Sequence, residues 1–565
     1  MKRPPISFFF IIPLLALCLF APACKEKRKP VRLGEKRVVA RPEELKQTVS
    51  DVLQGTLEEA VADSAAAARL PFRNTAALAL IYKDRNYEPL WTRDSVWLPH
   101  ADSLLRLLGR ARRYGLFPED YRQKHLDSLH IRMQRDTTRT TRLDAALWAE
   151  TDLYFTSALL DFATDLRVSR LQADSLRRRD SSLVPAFFRA VVDSFQHLPT
   201  DSFAARFEPP HAGYRALRKA LPGFLARARF RTYTRINPKD SANLLTVLRK
   251  RLSEDSVRTP SQTPDSTELA AAVKKYQKKK GLKPDGRVSP ELIAYLNSND
   301  TERYLQIVIN MERYKLLPPL PEEYIWVNIP TYMLQVYRGD SLTLTSKVVV
   351  GKTESKTPVL YSAVNNMMTY PQWTIPPSII SKDILPALQR DPGYLARKGY
   401  SLLDTNRNPV NPYAVKWSKY KKGIPYKVVQ GSGDDNALGV LKFNFPNKFS
   451  VYLHDTNQRS FFGRPKRALS HGCVRVESWR SLATYLLRRD SAMLALDTAS
   501  KARAVRVDSL ASWLAQKKRR YVPLRRPMPV FLTYQTVSVK EGRLVYLEDI
   551  YGEDRRMRQT YFAKK

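Results

Sequence analysis

The pattern of apolar positions divides the chain into a helical first part and a strand-rich second part. From about residue 74 to residue 243, apolar side chains recur at helical spacing. After Glu323 the period changes to about two, and segments 324–337 and 342–350 flank the turn at residues 339–340, which predicts a β-hairpin. The sequence therefore predicts an α+β multidomain protein, with an α-helical scaffold followed by a mainly β domain. Further predicted strands are 359–370, 441–445, 450–453, 529–538 and 543–547.

Changes in composition along the chain give the predicted domain boundaries. Residues 25–70 are charged and alanine-rich, which predicts a tether and a first helix, and residues 71–258 form the predicted helical scaffold. A stretch rich in Ser, Thr, Pro and Asp begins a compact helical unit at residues 259–300. A linker helix at 301–323 then leads into the mainly β domain, 324–565.

The N-terminus has the pattern of an export signal. Lys2 and Arg3 precede an apolar segment, residues 8–20, that is too short to span a bilayer comfortably, and Cys24 follows. Residues 1–24 resemble a bacterial lipoprotein signal, which implies that Cys24 is lipidated and anchors the chain to a membrane. An ordinary secretory signal is the alternative, and both interpretations export the chain.

Charge and cysteine content narrow the candidate chemistry. The chain has 95 Lys and Arg residues against 55 Asp and Glu, a formal net charge of +40, which favours an anionic partner such as nucleic acid, an anionic membrane or an acidic wall polymer. With Cys18 in the signal and Cys24 as the expected lipid anchor, the mature chain keeps one free thiol, Cys473, so no internal disulfide can form. An unpaired thiol in an oxidising compartment is a liability unless it has a use.

Cys473 lies in the segment Ser-His-Gly-Cys-Val-Arg-Val, residues 470–476. A cysteine nucleophile needs a nearby imidazole or positive charge, because the thiolate is the reactive form. His454 follows a short apolar strand and is positioned to face the thiol, and amides around Gly472 are candidate donors to an oxyanion. The alternatives are a small core cysteine and a zinc site formed with His471, although no Cys-x-x-Cys or His-x-x-x-His spacing supports zinc.

His454 is followed by fifteen residues and then by the segment 470–476. This pattern resembles the signature of the L,D-transpeptidase catalytic domain. Other segments are similar to the large multidomain Gram-negative branch of that family, in which a lid-like insert covers the active-site groove. They are 324–330, 348–352, 373–379, 391–395, 436–439 and 443–447. The resemblance extends over nearly all of residues 74–560 and implies a lid at about 376–430. The unit at 259–300 resembles a small peptidoglycan-binding domain, which can also serve as a spacer.

Transferred to this sequence, the resemblance implies that Cys473 is the nucleophile and His454 its general base. The residues expected to shape the site and the oxyanion pocket are Ser470, His471, Gly472 and Arg475. The residues expected to line the substrate groove are Trp373, Tyr452, Asp455 and Asn444. Asp455 is also a candidate for orienting the imidazole, through its side chain or its backbone carbonyl.

The implied reaction joins peptidoglycan stem peptides in the periplasm of a Gram-negative bacterium. Cys473 attacks the third residue of a tetrapeptide stem, meso-diaminopimelate, releases D-Ala, and passes the acyl group to the side-chain amine of a second stem. This covalent route needs no cofactor and no metal, and it implies acylation by carbapenems. L,D-carboxypeptidase activity, attachment of a protein to the wall and a non-catalytic murein-binding lipoprotein are the alternatives. Nucleic acid is not expected as a partner of an exported chain.

Overall fold

The computed structural model describes most of the chain after residue 35, namely residues 36–93, 95–137, 142–171, 184–259, 265–279, 282–496 and 504–563. The predicted signal at 1–24, with Cys24, lies outside the described residues. One compact unit contains the described residues up to Ala101 together with Lys124–Ser157, and a second contains Asp102–Gln123 and the described residues from Ala158 onward. None of the described helices is both long and apolar enough to cross a membrane.

Helices dominate the chain before residue 323, because apolar side chains recur there every three or four positions. They are Pro42–Ala62 (α1), Ser64–Arg69 (α2), Thr75–Asp84 (α3), Pro99–Gly109 (α4), Gln123–Thr137 (α5), Ala145–Arg167 (α6), Pro185–His197 (α7), Thr200–Phe207 (α8), Ala212–Leu225 (α9), Leu244–Glu254 (α10), Ser266–Lys279 (α11), Pro290–Asn297 (α12) and Asp300–Lys315 (α13). Short strands at Val38–Val39 (β1), Thr92–Arg93 (β2), Val96–Trp97 (β3) and Leu143–Asp144 (β4) form two antiparallel pairs, β1 with β4 and β2 with β3.

Within the segment predicted as a tether and a first helix, residues 42–69 form α1 and α2, so the tether does not extend over these residues. Leu45, Leu53 and Leu57 on α1 are at most 1% exposed and belong to a packed core. The charged residues of α1 lie mainly on its other face, so its overall composition resembles that of a solvated segment while its spacing buries one side.

The linker helix predicted for residues 301–323 is also a core element. Ile307 and Ile309 on α13 are at most 1% exposed, and they pack in a cluster that includes Tyr214 of α9. The C-terminal Phe562 completes the same cluster. The ion pair between Lys315 and Glu312 is buried in this helix. A helix with this many buried contacts is part of the domain and not a spacer.

The small helical unit predicted for residues 259–300 begins earlier than expected. Its core joins Leu269 and Leu296 to Leu248 and Leu252, which lie on α10. Because the apolar face of α10 closes this core, the boundary falls before residue 244. Gln277 of α11 fixes the following turn by accepting a hydrogen bond from the Gly286 amide at 2.8 Å.

Strands dominate from residue 323 onward. They are Glu323–Asn328 (β5), Met333–Arg338 (β6), Ser341–Gly351 (β7), Leu360–Thr369 (β8), Trp373–Thr374 (β9), Tyr400–Leu403 (β10), Lys427–Gln430 (β11), Leu441–Asn444 (β12), Leu453–His454 (β13), Ala468–Ser470 (β14), Val474–Val476 (β15), Arg520–Thr533 (β16), Val537–Lys540 (β17) and Arg543–Tyr546 (β18). The helices in this part are Pro377–Ile379 (α14), Leu385–Arg390 (α15), Tyr394–Arg397 (α16), Trp479–Leu496 (α17), Val507–Ala515 (α18) and Glu553–Tyr561 (α19).

The main sheet has the strand order β14-β7-β15-β13-β12-β8-β16-β5-β6, and β6 also pairs with β7, so the sheet closes on itself. Its apolar interior contains Val327, Val364, Phe443, Leu453 and Val530, each fully buried. Helices α17 and α18 cover part of this core. The predicted α+β fold class, with helices first and a mainly β domain after them, is confirmed.

The predicted hairpin is present, but its first strand is divided in two. The turn at Gly339, which has φ +53°, joins β6 to β7 as expected. A 3₁₀ turn at Ile329–Thr331 separates β5 from β6, and these two strands pair with each other. Pro330 has no amide hydrogen to donate to a sheet, so a continuous strand through it is disfavoured.

An insert at residues 373–430, which we call the lid, forms a small subdomain. Strands β9, β10 and β11 make a three-stranded antiparallel sheet, with β11 in the centre. The lid has its own apolar core, which includes Ile380, Leu388, Trp417 and Val428. The lid therefore has a core separate from that of the main sheet.

Candidate active site

Two adjacent parallel strands bring the predicted catalytic residues together. Strand β13 ends at His454, and β15 begins immediately after Cys473. The strands pair with Leu453 opposite Val474, and both of these side chains point into the core of the sheet. Because side chains alternate along a strand, His454 and Cys473 lie on the other face. This face opens to a pocket.

The pocket has a volume of about 80 Å³ and is partly covered by the lid. Seven predicted site residues line it: His454, Cys473, Ser470, His471, Arg475, Trp373 and Tyr452. Lid residues Pro376, Ser378 and Ile379 form part of its wall. The structure therefore groups residues that lie far apart in the sequence.

Two residues predicted for the groove lie outside this pocket. The Asp455 carboxylate is 1% exposed, accepts a hydrogen bond from the Val440 amide at 3.0 Å and pairs with Arg459 at 2.9 Å. The Asn444 amide donates to the Asn366 side chain at 2.7 Å. Asp455 follows His454 directly, so strand alternation turns its side chain away from the pocket. Its carboxylate therefore does not orient the imidazole.

The turn before Cys473 is fixed by its own hydrogen bonds. The Gly472 amide donates to the Ser470 hydroxyl at 3.1 Å, and that hydroxyl donates to the Cys473 carbonyl at 2.6 Å. Gly472 has φ +119°, a conformation that a residue with a side chain rarely adopts. Its amide is therefore engaged, contrary to the expected oxyanion role. The Cys473 amide has no hydrogen-bond acceptor among the described residues.

His471 contacts the lid and not the thiol. Its Nε2 atom lies 3.0 Å from the Asp383 carboxylate of the lid, and both side chains are partly exposed. Burial lowers the pKa of His471, and the charge of Asp383 acts in the opposite direction. The Lys382 ammonium donates to the Glu354 carbonyl at 3.1 Å on the same side of the lid. His471 thus connects the catalytic turn to the lid.

Burial shifts the pKa values of the thiol and the imidazole in the directions that favour their neutral forms. It raises the pKa of Cys473, while hydrogen-bonding groups of Tyr452 and the positive charges of Lys442 and Arg475 lower it. Burial, followed by the charge of Arg475, lowers the pKa of His454 to about 3, although backbone groups of Asp455 and Leu438 act to raise it. A neutral imidazole has a lone pair that can accept a proton, but its lowered pKa makes it a weak base in this closed state, so a change of environment on substrate binding is needed for general-base activity.

The two groups share the pocket without a hydrogen bond between them among the contacts of the described residues. The Cys473 thiol donates a long hydrogen bond to the Ser450 carbonyl, with sulphur and oxygen 3.9 Å apart. The Nδ1 atom of His454 is buried and has no hydrogen-bond partner in the described part of the chain. Catalytic hydrogen bonds of this kind often shorten only when substrate binds.

Sequence reasoning did not identify Lys442. It lies on β12 opposite His454 of β13, and its ammonium is 3.8 Å from the centre of the Tyr452 ring. Burial lowers the pKa of Lys442, and the charge of a Cys473 thiolate would raise it. A lysine between the buried residues Leu441 and Phe443 must point to the pocket face, so alternation along the strand could have found it.

Within the described ranges, no three His, Cys, Asp or Glu side chains are grouped closely enough to hold a metal ion.

Arg475 is held by its neighbours, because its guanidinium donates to Gln458 at 2.6 Å and to Thr456 at 3.2 Å. The pocket therefore contains a thiol, an imidazole, a free amide donor and the guanidinium of Arg475, and the charge of Lys442 acts on the thiol from outside the pocket wall. This set suits acyl transfer through a thioester.

Comparison with known protein families agrees with this chemistry. Residues 322–494 match the model of the L,D-transpeptidase catalytic domain. This chain carries an L,D-transpeptidase catalytic domain. Residues 76–221 match the model of a scaffold domain, so the resemblance predicted from the sequence is confirmed.

One relative of the L,D-transpeptidase domain is a Haemophilus influenzae protein named "Putative L,D-transpeptidase". The two sequences are 40% identical over 260 residues, which is 46% of this chain and 50% of the relative. The chain thus spans about half the length of this relative. Together with the family match, this similarity supports a peptidoglycan acyltransferase or transpeptidase class for the catalytic domain.

Proposed function

We propose that the protein is an L,D-transpeptidase that cross-links peptidoglycan through a thioester on Cys473. The observation that carries this proposal is the pocket in which the Cys473 thiol and the His454 imidazole lie together, inside a domain of the L,D-transpeptidase family. A buried acceptor nitrogen beside a nucleophilic atom is the arrangement that general-base activation requires.

The first step forms the acyl-enzyme. The His454 imidazole accepts the thiol proton as the Cys473 sulphur attacks the carbonyl carbon of the third residue of a tetrapeptide stem. The negative charge that develops on the carbonyl oxygen is stabilised by the Cys473 amide, which has no other acceptor in the described chain. The C–N bond to D-Ala then breaks, and the imidazolium returns its proton to the amine that leaves.

The second step transfers the acyl group. The side-chain amine of a second stem attacks the thioester carbonyl, a new amide bond forms, and the C–S bond breaks. His454 takes a proton from the attacking amine and the thiolate takes a proton in turn, so the enzyme returns to its starting state. We propose meso-diaminopimelate as the third residue of both stems, since it carries the required side-chain amine and a carboxylate that the cations Lys442 and Arg475 attract.

The lid must move for this reaction. The pocket of about 80 Å³ is below the roughly 300–1,000 Å³ of ordinary ligand sites, which supports an opening of the lid before both stems bind. The apolar core of the lid favours movement as one body. The contact between Asp383 and His471 is one of those that opening must break.

We further propose that the protein acts in the periplasm and is anchored by a lipid on Cys24. The supporting observation is the N-terminal pattern of Lys2 and Arg3, an apolar segment and then Cys24. A carbapenem, which presents a strained carbonyl to the same thiol, is expected to acylate Cys473. If Cys24→Ala releases the protein from membranes with its activity intact, the anchor proposal is supported; continued membrane association contradicts it.

The test is incubation with purified disaccharide-tetrapeptide muropeptides, followed by mass spectrometry of the products. Loss of D-Ala together with dimers is expected for the wild type and not for Cys473→Ala. Ser538→Ala, at an exposed residue of β17, is the matched control and should retain activity. Loss of D-Ala without dimers would assign an L,D-carboxypeptidase. Absence of product from the wild type would contradict the proposal and favour a non-catalytic murein-binding lipoprotein.

A further inference from the structure

A second cavity, of about 660 Å³, lies in the catalytic domain away from the Cys473 pocket. It is formed by residues of the β6–β7 hairpin and of α17, and it shares no lining residue with the Cys473 pocket. Four of its nine lining residues are arginines: Arg338, Arg480, Arg488 and Arg489. Neither the acyl transfer nor the lid uses this cavity.

The positive charge in this cavity is only partly neutralised. The buried Glu323 carboxylate accepts hydrogen bonds from Arg338 at 2.6 Å, from Arg489 at 2.6 Å and from the Tyr485 hydroxyl at 3.0 Å. Arg489 is itself buried, with its side chain 8% exposed. The Glu323 carboxylate therefore pairs with two of the four guanidinium groups, those of Arg338 and Arg489.

The other two arginines, Arg480 and Arg488, form no ion pair within the described ranges, although the charge of Arg480 also acts on the buried Asp455 carboxylate and its guanidinium lies 5.3 Å from the centre of the Trp479 ring. Arg480 and Arg488 are both exposed, and their spacing of eight residues places them on one face of α17. Thr484 lies between them on the same face, and Ser481 adds a second hydroxyl to the wall. Guanidinium groups that surround one concave space repel each other unless an anion occupies it.

We propose that this cavity binds a phosphate-bearing ligand. Arginine binds phosphate through paired, charge-assisted hydrogen bonds, and a phosphate with two negative charges accepts more such bonds than a single carboxylate. The volume of about 660 Å³ is in the usual range for a small-molecule site, so the phosphate can be part of a larger group. A free phosphate compound and the headgroup of a phospholipid share this chemistry.

Isothermal titration calorimetry on the full chain in neutral detergent tests the proposal. The probes are inorganic pyrophosphate, glycerol 3-phosphate, short-chain dihexanoyl phosphatidic acid, and citrate as a phosphorus-free polyanion. The phosphate probes should bind at least about tenfold more tightly than citrate. Tighter binding of phosphatidic acid than of glycerol 3-phosphate assigns a lipid headgroup, and the reverse assigns a free phosphate compound.

The double variant Arg480→Gln with Arg488→Gln should weaken phosphate binding by about a hundredfold, since each charge-assisted bond contributes about tenfold or more. Arg338 and Arg489 are left intact because they hold the buried Glu323, and thermal unfolding checks that the double variant is folded. Arg543→Gln, at an exposed arginine on β18, is the matched control and should bind as the wild type does. Equal binding of citrate, no binding of any phosphate probe, or a loss below tenfold in the double variant overturns the proposal.

Discussion

Acidification should destabilise the L,D-transpeptidase domain through His454. In the folded protein burial lowers the pKa of this imidazole from 6.5 to about 3. Between these two values the unfolded chain binds a proton that the folded protein does not bind, so stability present above pH 6.5 is lost as the pH falls. A pH of 5 lies about 1.5 units below the pKa of the imidazole in the unfolded chain. Protonation therefore stabilises the unfolded chain relative to the folded protein by about 2 kcal/mol.

The assay is urea unfolding at pH 8 and at pH 5, followed by tryptophan fluorescence. The wild type should lose about 2 kcal/mol more on acidification than His454→Gln, which cannot be protonated at this position. Burial also lowers the pKa of His100, His211 and His471, but these residues are present in both proteins and their effects cancel in the comparison.

The matched control is His197→Gln, because the His197 side chain is 70% exposed on α7. It should lose as much stability on acidification as the wild type does. If the wild type and His454→Gln show the same loss between pH 8 and pH 5, the imidazole is not held neutral in a buried pocket.

Three further changes test other parts of the structure. Lys442→Met should raise the pKa of the site thiol, because it removes a positive charge, and a shift of the iodoacetamide pH–rate profile to higher pH measures this; an unmoved profile contradicts the assignment. Asp383→Asn removes the ion pair to His471, so iodoacetamide should label the thiol about two- to fivefold faster, and an unchanged rate argues against a role of this contact in lid closure. Asn310→Ala leaves the buried Thr536 amide without its acceptor at 2.7 Å, so urea unfolding should show a loss of about 1–3 kcal/mol, and a loss below about 0.5 kcal/mol would contradict this.

The fold elements that could be predicted are those set by local pattern. Local pattern correctly predicted a strand at β12, a turn at Gly339 and helices before residue 243. The strand predicted at 529–538 was placed too late, because β16 begins at Arg520. Its first residues are rich in arginine and do not alternate clearly, and it is pairing with β8 that makes them a strand.

Elements whose role depends on distant contacts could not be predicted from local pattern. Helix α13 looks like a connection in the sequence, but its apolar residues meet α9 and the C-terminal Phe562. Likewise, α10 joins the core of the small helical unit although a polar stretch follows it. Burial in these cases depends on which distant segments pack against each other. The local pattern of apolar residues does not show which segments these are.

The candidate site divides in the same way. Chemistry and family motif identified Cys473 and His454, and the structure places both in one pocket. Asp455 was assigned by its position next to His454, but neighbouring residues on a strand point to opposite faces. Alternation along β12 indicates which face Lys442 occupies, but only the pairing of β12 with β13 shows that it lies opposite His454.

The most direct test of the central claim is to find the acyl group on the enzyme. Wild-type protein mixed with disaccharide-tetrapeptide and quenched in acid should gain the mass of the substrate minus D-Ala, and peptide mapping should locate it on Cys473. His454→Ala should form this adduct about a hundred- to ten-thousandfold more slowly, the usual contribution of a general base. An adduct on another residue, or undiminished turnover by Cys473→Ala, would contradict the account.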